Sequence, residues 1–196
     1  FAERFPGFVV GIDPAAAMLA QACVKTEEVE AVRIGWTLGT GETLPFPDGA
    51  FRVVFMSQVW HHLADGLRAA AEFSRVLAPG GRLFINTFSH AQIRERWELD
   101  IFPELLSLML HIYPTLPRLA RILGQAGLVD VSHTTFHQAG TRRPSELLAV
   151  AKGRLWSMFA YLNKDGLEAG LARLQHLIAE TDDAPVPRPV SQLLVQ

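Results

Sequence analysis

Four short apolar runs, each set off by turn residues and interleaved with segments of helical spacing, constrain this chain more than any other feature. They are residues 8–12 (FVVGI), 32–38 (VRIGWTL), 51–56 (FRVVFM) and 82–88 (RLFINTF). Their length and apolar content read as buried strands. Asp13 and Pro14 follow the first run and suit a helix start, with Asp as cap and Pro at the first helical position. A second helix begins at Asp65 and carries Leu67, Ala70, Ala71, Ser74 and Leu77 on one side, with Pro79-Gly80-Gly81 as its stop. Strands alternating with helices imply parallel βαβ units in one open, covered sheet. Such sheets bind ligands beyond the carboxyl ends of their strands. The residues to inspect are therefore those just after Ile12, Leu38, Met56 and Phe88.

Further along, residues 115–126 read as a helix closed by Gly127, and residues 128–137 as a polar strand near a sheet edge. Residues 146–162 and 165–180 read as a helical pair, and residues 190–195 as a last strand. The 196 residues suffice for one domain. The net charge of −2 and the lack of a Lys/Arg block exclude nucleic acid as the first guess for a partner. The most apolar stretch, residues 101–116, is interrupted by Pro103, Glu104, His111 and Pro114 and is too short to span a bilayer. A single cysteine, Cys23, allows no internal disulfide, and no zinc spacing exists; both fit a reducing cytoplasm.

Three places carry candidate chemistry. Asp13 either accepts the two hydroxyls of a ribose or only caps its helix. The loop GTGETLPFPDGAF over residues 39–51 has glycines that let backbone approach a flat ligand, and Thr40 is placed to meet an exocyclic amine. After the third run comes SQVWHHL over residues 57–63. Adjacent histidines do not share a helix face, so a His-His metal site is not expected, and no metal is assigned. One histidine is structural and the other, with His62 as the weak catalytic candidate, faces the cleft.

The succession VVGIDPAAAML, GTGETLPFPDGAFRVVFMSQVWHHL and AEFSRVLAPGGRLFI resembles the ubiquinone/menaquinone-biosynthesis-type branch of the class I S-adenosylmethionine-dependent methyltransferases. The resemblance implies a Rossmann-like, mostly parallel α/β sheet with helices on both faces. It divides a single domain into a cofactor-binding part, residues 1–88, and a variable acceptor-binding part, residues 89–196, with a helical insertion over residues 144–181 before the last strand. It also implies roles. Asp13 holds the ribose of S-adenosylmethionine; Met18, or Pro14 beside it, packs on adenine. Thr40, Gly41 and Glu42 line the adenine site, and Ser57 and Gln58 lie near the methyl group. Pro79-Gly80-Gly81 is a structural turn.

Three departures qualify the resemblance. Thr40 stands where the family usually has Asp, and Arg52 where it often has Asp. The glycine-rich loop should precede the acidic residue by about 20 residues, yet only 12 residues precede Asp13. The expectation is a fragment lacking the family's first strand and first helix, with a gap in the sheet between the strands ending at Ile12 and Met56. Such a fragment is expected to be poorly stable and to bind cofactor weakly, so that activity belongs to the intact protein. The reaction implied is methyl transfer to a small or medium organic acceptor. Phe88, His90, Arg94, Arg96, Trp97, Phe102, His111, Tyr113, Trp156, Phe159 and Tyr161 are the residues from which core and acceptor pocket are drawn. The rival classes are a non-catalytic binding or scaffold protein on the same fold and a nicotinamide-dependent oxidoreductase.

Overall fold

A computed structural model describes residues 7–27, 34–187 and 190–195 of the chain. The order of elements positions two cavities, and only what builds their walls is followed here. Strand β1 (Val9–Asp13) leads into α1 (Ala16–Glu27) and β2 (Ile34–Leu38). β1 and β2 pair in parallel, Val9 opposite Ile34 through Asp13 opposite Leu38, as a sheet of two strands. Strand β3 (Phe51–Ser57) ends in a 3-10 turn over Trp60–His62, then α2 (Gly66–Val76) and β4 (Leu77–Thr87).

The middle of the chain is helical: α3 (His90–Arg94), α4 (Glu98–Ile101), α5 (Glu104–Ile112) and α6 (Leu116–Gln125). After β5 (His133–Gln138) and the short β6 (Thr141–Arg142) come α7 (Pro144–Lys152), a 3-10 stretch over Ser157–Tyr161 and α8 (Lys164–Thr181). The short β7 (Val186–Pro187) pairs with β6, and β8 (Val190–Val195) follows.

The larger sheet runs β3-β4-β8-β5. β3 and β4 are parallel, and β8 is antiparallel to both β4 and β5, so β3, β4 and β5 share one direction and β8 alone runs against them. The last strand enters the middle of this sheet and leaves β5 at its edge. Between β1 and β3 no pairing exists among the described residues; each ends its own sheet there. This is the gap expected from the sequence, and it leaves two rows of backbone donors and acceptors facing one cleft.

Local chemistry explains most boundaries. Asp65 caps α2, its Oδ1 accepting from the amides of Leu67 and Arg68 at 3.0 Å each. Ser89 and Gln92 close a reciprocal capping box on α3. Asn163 accepts from the Gly166 amide at 2.8 Å to start α8. Gly127 takes φ +81 just past α6, a conformation that only glycine adopts without cost. One boundary differs from expectation. α2 ends at Val76, and β4 begins at Leu77 and runs through Pro79-Gly80-Gly81 instead of starting after them. Leu77 already pairs with Phe51, and the register then jumps to Val53 opposite Arg82, so the turn residues form an irregularity inside the strand. The expected long helix after residue 146 is also shorter. It stops at Lys152, and residues 153–156 turn the chain before the 3-10 stretch.

Two apolar clusters hold the fold. One lies between the larger sheet and helices α2 and α6, with Phe73, Val76, Ile85, Leu119, Leu123 and Val195 at its centre. The other joins α4, α5, α7 and α8 through Phe102, Leu105, Leu147, Phe159 and Leu174. Phe102 and Phe159 meet edge to face at 5.1 Å.

Candidate donor and acceptor sites

Asp13 closes β1 and is half-buried. Its Oδ1 accepts from the Ala15 amide at 2.7 Å, while the helix starts only at Ala16. The carboxylate therefore makes a turn two residues ahead of the helix, and one oxygen suffices for it. Asp13 and Pro14 line a cleft of about 570 Å³ between β1 and β3. Consecutive residues of both strands, Val10 to Asp13 and Val53 to Ser57, line it, as expected where strand edges rather than faces meet a cavity.

Thr40, Gly41 and Glu42 lie on the same wall. A side chain on Gly41 would bring a Cβ to 2.7 Å from Leu63 Cδ2, so any larger residue would make the Leu63 side chain shift. Glu42 also ties the loop to the start of α2. Its Oε1 accepts from the amides of Ala64 at 2.7 Å and Asp65 at 3.4 Å. Burial works to raise its pKa, but the bonds from the Glu42, Ala64 and Asp65 amides and the Thr40 hydroxyl outweigh it and hold the carboxyl below its ordinary value. Glu42 is thus a clasp between loop and α2 as well as a residue of the wall.

Residues that the sequence reading left without a role fix the rest of this loop. Glu72 on α2 accepts from the Leu44 amide at 2.7 Å, and Arg75 one turn later donates to the carbonyls of Phe46 at 2.7 Å and Leu44 at 3.1 Å. Arg75 also bonds Glu72 and Asp48, and Arg68 bonds the Glu42 carbonyl and Thr43. The Arg75 hydrogen bond holds the Glu72 carboxyl down at about 2, and Arg75 itself is raised by Glu72 and then Asp48. The signal in the sequence is the Glu-x-x-Arg spacing of a helix face.

The remaining sequence candidates separate. Ser57 lines the cleft, its Oγ accepting from Asn86 Nδ2 at 2.9 Å. Met18 stands on α1, 52% exposed and off the cleft wall, so of the two adenine candidates only Pro14 is brought to it. Gln58 turns the other way. It adopts φ 56, its amide donates to the Asn86 carbonyl at 2.9 Å, and its side chain faces a second cavity of about 370 Å³. Phe88, Arg96, Tyr113 and Trp156 line that second cavity, while Phe102 and Phe159 are core and Tyr161 is exposed.

The two histidines part company as well. His61 is stacked on Tyr113 at 4.1 Å, and burial, followed by the neighbouring His62, lowers its pKa to about 4. His62 is exposed, with Nε2 3.4 Å from Ser157 Oγ. It lines both cavities, and no other residue of either wall does. Among the described residues no group of His, Cys, Asp or Glu could hold a metal ion, and no helix is long and apolar enough to cross a membrane.

Residues 1–85 match the methyltransferase domain family. The chain is 44% identical over 87 residues to a demethylmenaquinone methyltransferase of Thermus thermophilus, covering 44% of this chain and 39% of that protein. It is 30% identical over 145 residues to a 2-phytyl-1,4-naphthoquinone methyltransferase of Thermosynechococcus vestitus, covering 65% and 64%. Its fold matches the crystal structure of a putative methyltransferase from an antibiotic biosynthesis pathway of Anabaena variabilis, with TM-score 0.73 and 21% identity over 96% of this chain and 80% of that one. The chain spans less than two thirds of the length of these curated relatives.

Proposed function

Because the chain belongs to the class I S-adenosylmethionine-dependent methyltransferases, we propose that the protein carrying it transfers a methyl group from S-adenosylmethionine, held beyond the carboxyl ends of β1 and β3 at the rim formed by Asp13, Thr40 and Ser57, to a small organic acceptor in the second cavity. The observation that carries this reading is the junction of the two cavities at His62, beyond the carboxyl end of β3. The residues present suit the donor. Asp13 has a second carboxylate oxygen to spare for ribose hydroxyls, Leu44 and Phe46 supply apolar wall, and Gly41 admits a flat ring close to the backbone. No Lys or Arg lines the cleft among the described residues, so the amino-acid end of the donor relies on backbone groups.

Bound there, S-adenosylmethionine supplies an activated methyl: the acceptor's lone pair forms a bond to the methyl carbon, the carbon–sulfur bond breaks with its electrons left on a neutral thioether, and the acceptor's proton departs. The protein's part is alignment and exclusion of water. Ser57 sits at the end of β3 on the donor side, and His62 Nε2 is placed to take a proton released at the junction. A parallel strand with its glycine turn belongs, in the same proposal, between β1 and β3, where both facing edges lack a partner among the described residues.

Calorimetric titration of the intact protein with S-adenosylmethionine and S-adenosylhomocysteine tests the donor site. Saturable binding is expected, weakened at least about tenfold by Asp13→Ala, since hydrogen bonds to a charged group contribute roughly 1.5–3 kcal/mol. The melting temperature should stay nearly unchanged. No binding, or a loss of stability without a loss of affinity, would reduce Asp13 to a turn residue and remove the proposal.

A further inference from the structure

The far edge of the larger sheet is β5, with the sequence HTTFHQ. Along one side it pairs with β8 over six consecutive residues, His133 opposite Val195 through Gln138 opposite Val190, without a shift of register. Along the other side it has no partner strand among the described residues. A strand sends alternate side chains to its two faces, and one face normally lies against a core. In β5 neither face does: His133, Thr134, Thr135, Phe136 and His137 are all exposed, Phe136 at 52%. The outer strand of the smaller sheet, β2, differs, because all its residues but Leu38 are half-covered. A strand held along one edge and bare on both faces gains little from burial, and a two-stranded ribbon in water is marginal by itself.

Edge strands are ordinarily kept from pairing by a lysine, a proline or a bulge. None of the three occurs in β5. Residues 131–141 (VSHTTFHQAGT) contain no Asp, Glu, Lys or Arg, and residues 190–195 of the neighbouring strand contain none either. Threonine and phenylalanine favour a pleated surface. The strand also complements its own image. In an antiparallel copy centred on Thr135, that residue lies opposite the partner's Thr135, Thr134 opposite the partner's Phe136, and His133 opposite the partner's His137. Threonine with threonine and an aromatic ring with a β-branched residue are favourable cross-strand pairs. The two Phe136 rings fall on one face, diagonal to each other across the axis and within reach, so each covers apolar surface that water now meets.

We propose that β5 is a self-association edge: two copies of this chain pair through it, antiparallel about a two-fold axis at Thr135, so that two four-stranded sheets become one continuous sheet. A second copy is the occupant because the edge offers no charge for a foreign strand to answer, and every position from 133 to 137 finds a compatible mate in the same sequence. The inference does not depend on methyl transfer. Nor does it involve the free edges of β1 and β3, since β3 stands at the opposite end of the order β3-β4-β8-β5.

Sedimentation equilibrium of the intact protein tests this, and a reversible monomer–dimer equilibrium is expected. Thr135→Lys sets two ammonium groups opposite each other at the axis and should raise the dimer dissociation constant at least about tenfold. Position 135 is exposed, so circular dichroism of the dilute variant should match that of the native protein. A second measurement covers the case in which that variant fails to fold. Residues directly opposite in an antiparallel pair have Cα atoms about 4.5–5.5 Å apart, within disulfide reach. In a Cys23→Ser background, Thr135→Cys should therefore give a cross-linked dimer under mild oxidation. Ser132→Cys, equally exposed but far from the axis, should not. A protein that sediments as a monomer up to about 1 mM overturns the proposal. So does a dimer that Thr135→Lys leaves as strong as before, as one joined through β1 or β3 would be, and so does equal cross-linking at positions 132 and 135.

Discussion

The β1–α1–β2 unit and the helical body around α5, α7 and α8 are held together by different means. Before Leu44 no described residue is buried; every position of β1 is half-covered, and Met18 and Val24 of α1 lie open. In the helical body Phe102, Leu147, Phe159 and Leu174 are wholly buried. The first unit is shaped by parallel pairing and by contacts that leave its outer face to solvent, the second by packing. The difference teaches where recognition and stability reside. Only part of the match to the methyltransferase domain family lies on the thinly packed unit and its loop, and the segment that anchors the second cavity is packed like a core.

Deleting a buried ring should give the largest contrast. Phe102→Ala is expected to cost about 3–5 kcal/mol, the usual range for a phenylalanine lost from a close-packed interior, against about 0.5 kcal/mol or less for the exposed Val24→Ala. Urea unfolding measures both; equal losses would end the comparison.

Acid should separate the regions next. His61 titrates near 4 in the folded chain and at 6.5 when exposed, so between these values the unfolded state binds more protons. Its contribution is complete above 6.5 and is lost as pH falls toward 4. Glu72, held at about 2 against an ordinary 4.5, adds stability above 4.5 that disappears only as pH falls through 2. Melting curves of the native chain and His61→Gln across this range should diverge first in the histidine window, with the native midpoint falling more steeply. Parallel curves would mean that His61 is not what makes the second cavity acid-sensitive.

The smallest expected effect is at the loop clasp. Glu72→Gln keeps the shape but loses charge-assisted bonds to Arg75 and weakens the one from Leu44. It should cost about 1 kcal/mol and loosen S-adenosylhomocysteine binding by only a few fold. A loss as large as that of Phe102→Ala would show that the loop, not the helical body, carries the stability.

The two regions are unequally legible in the sequence, and the reason is separation along the chain. Asp13, Thr40 and Ser57 each follow an apolar run directly, so the strand pattern alone delivers them to one rim. Tyr113 meets Gln58 across 55 positions and His61 across 52, through helices whose packing no local pattern predicts. That is why the sequence places Gln58 with Ser57, while its side chain lines the second cavity. The extension of β4 through Pro79-Gly80-Gly81 escapes for a related cause: the pairing of Leu77 with Phe51, a tertiary contact, overrides the turn chemistry of the triplet.

The unpaired edges of β1 and β3 give the bound donor a second employment. A molecule reaching from Asp13 to Ser57 would touch both sheets, which no strand pairing joins among the described residues. Its binding free energy then becomes cohesion: at a hundred times its dissociation constant a ligand adds about 2.7 kcal/mol to the folded state. The substrate would serve as a rivet, and the survival of the fold as a gauge of how much of it the surroundings contain.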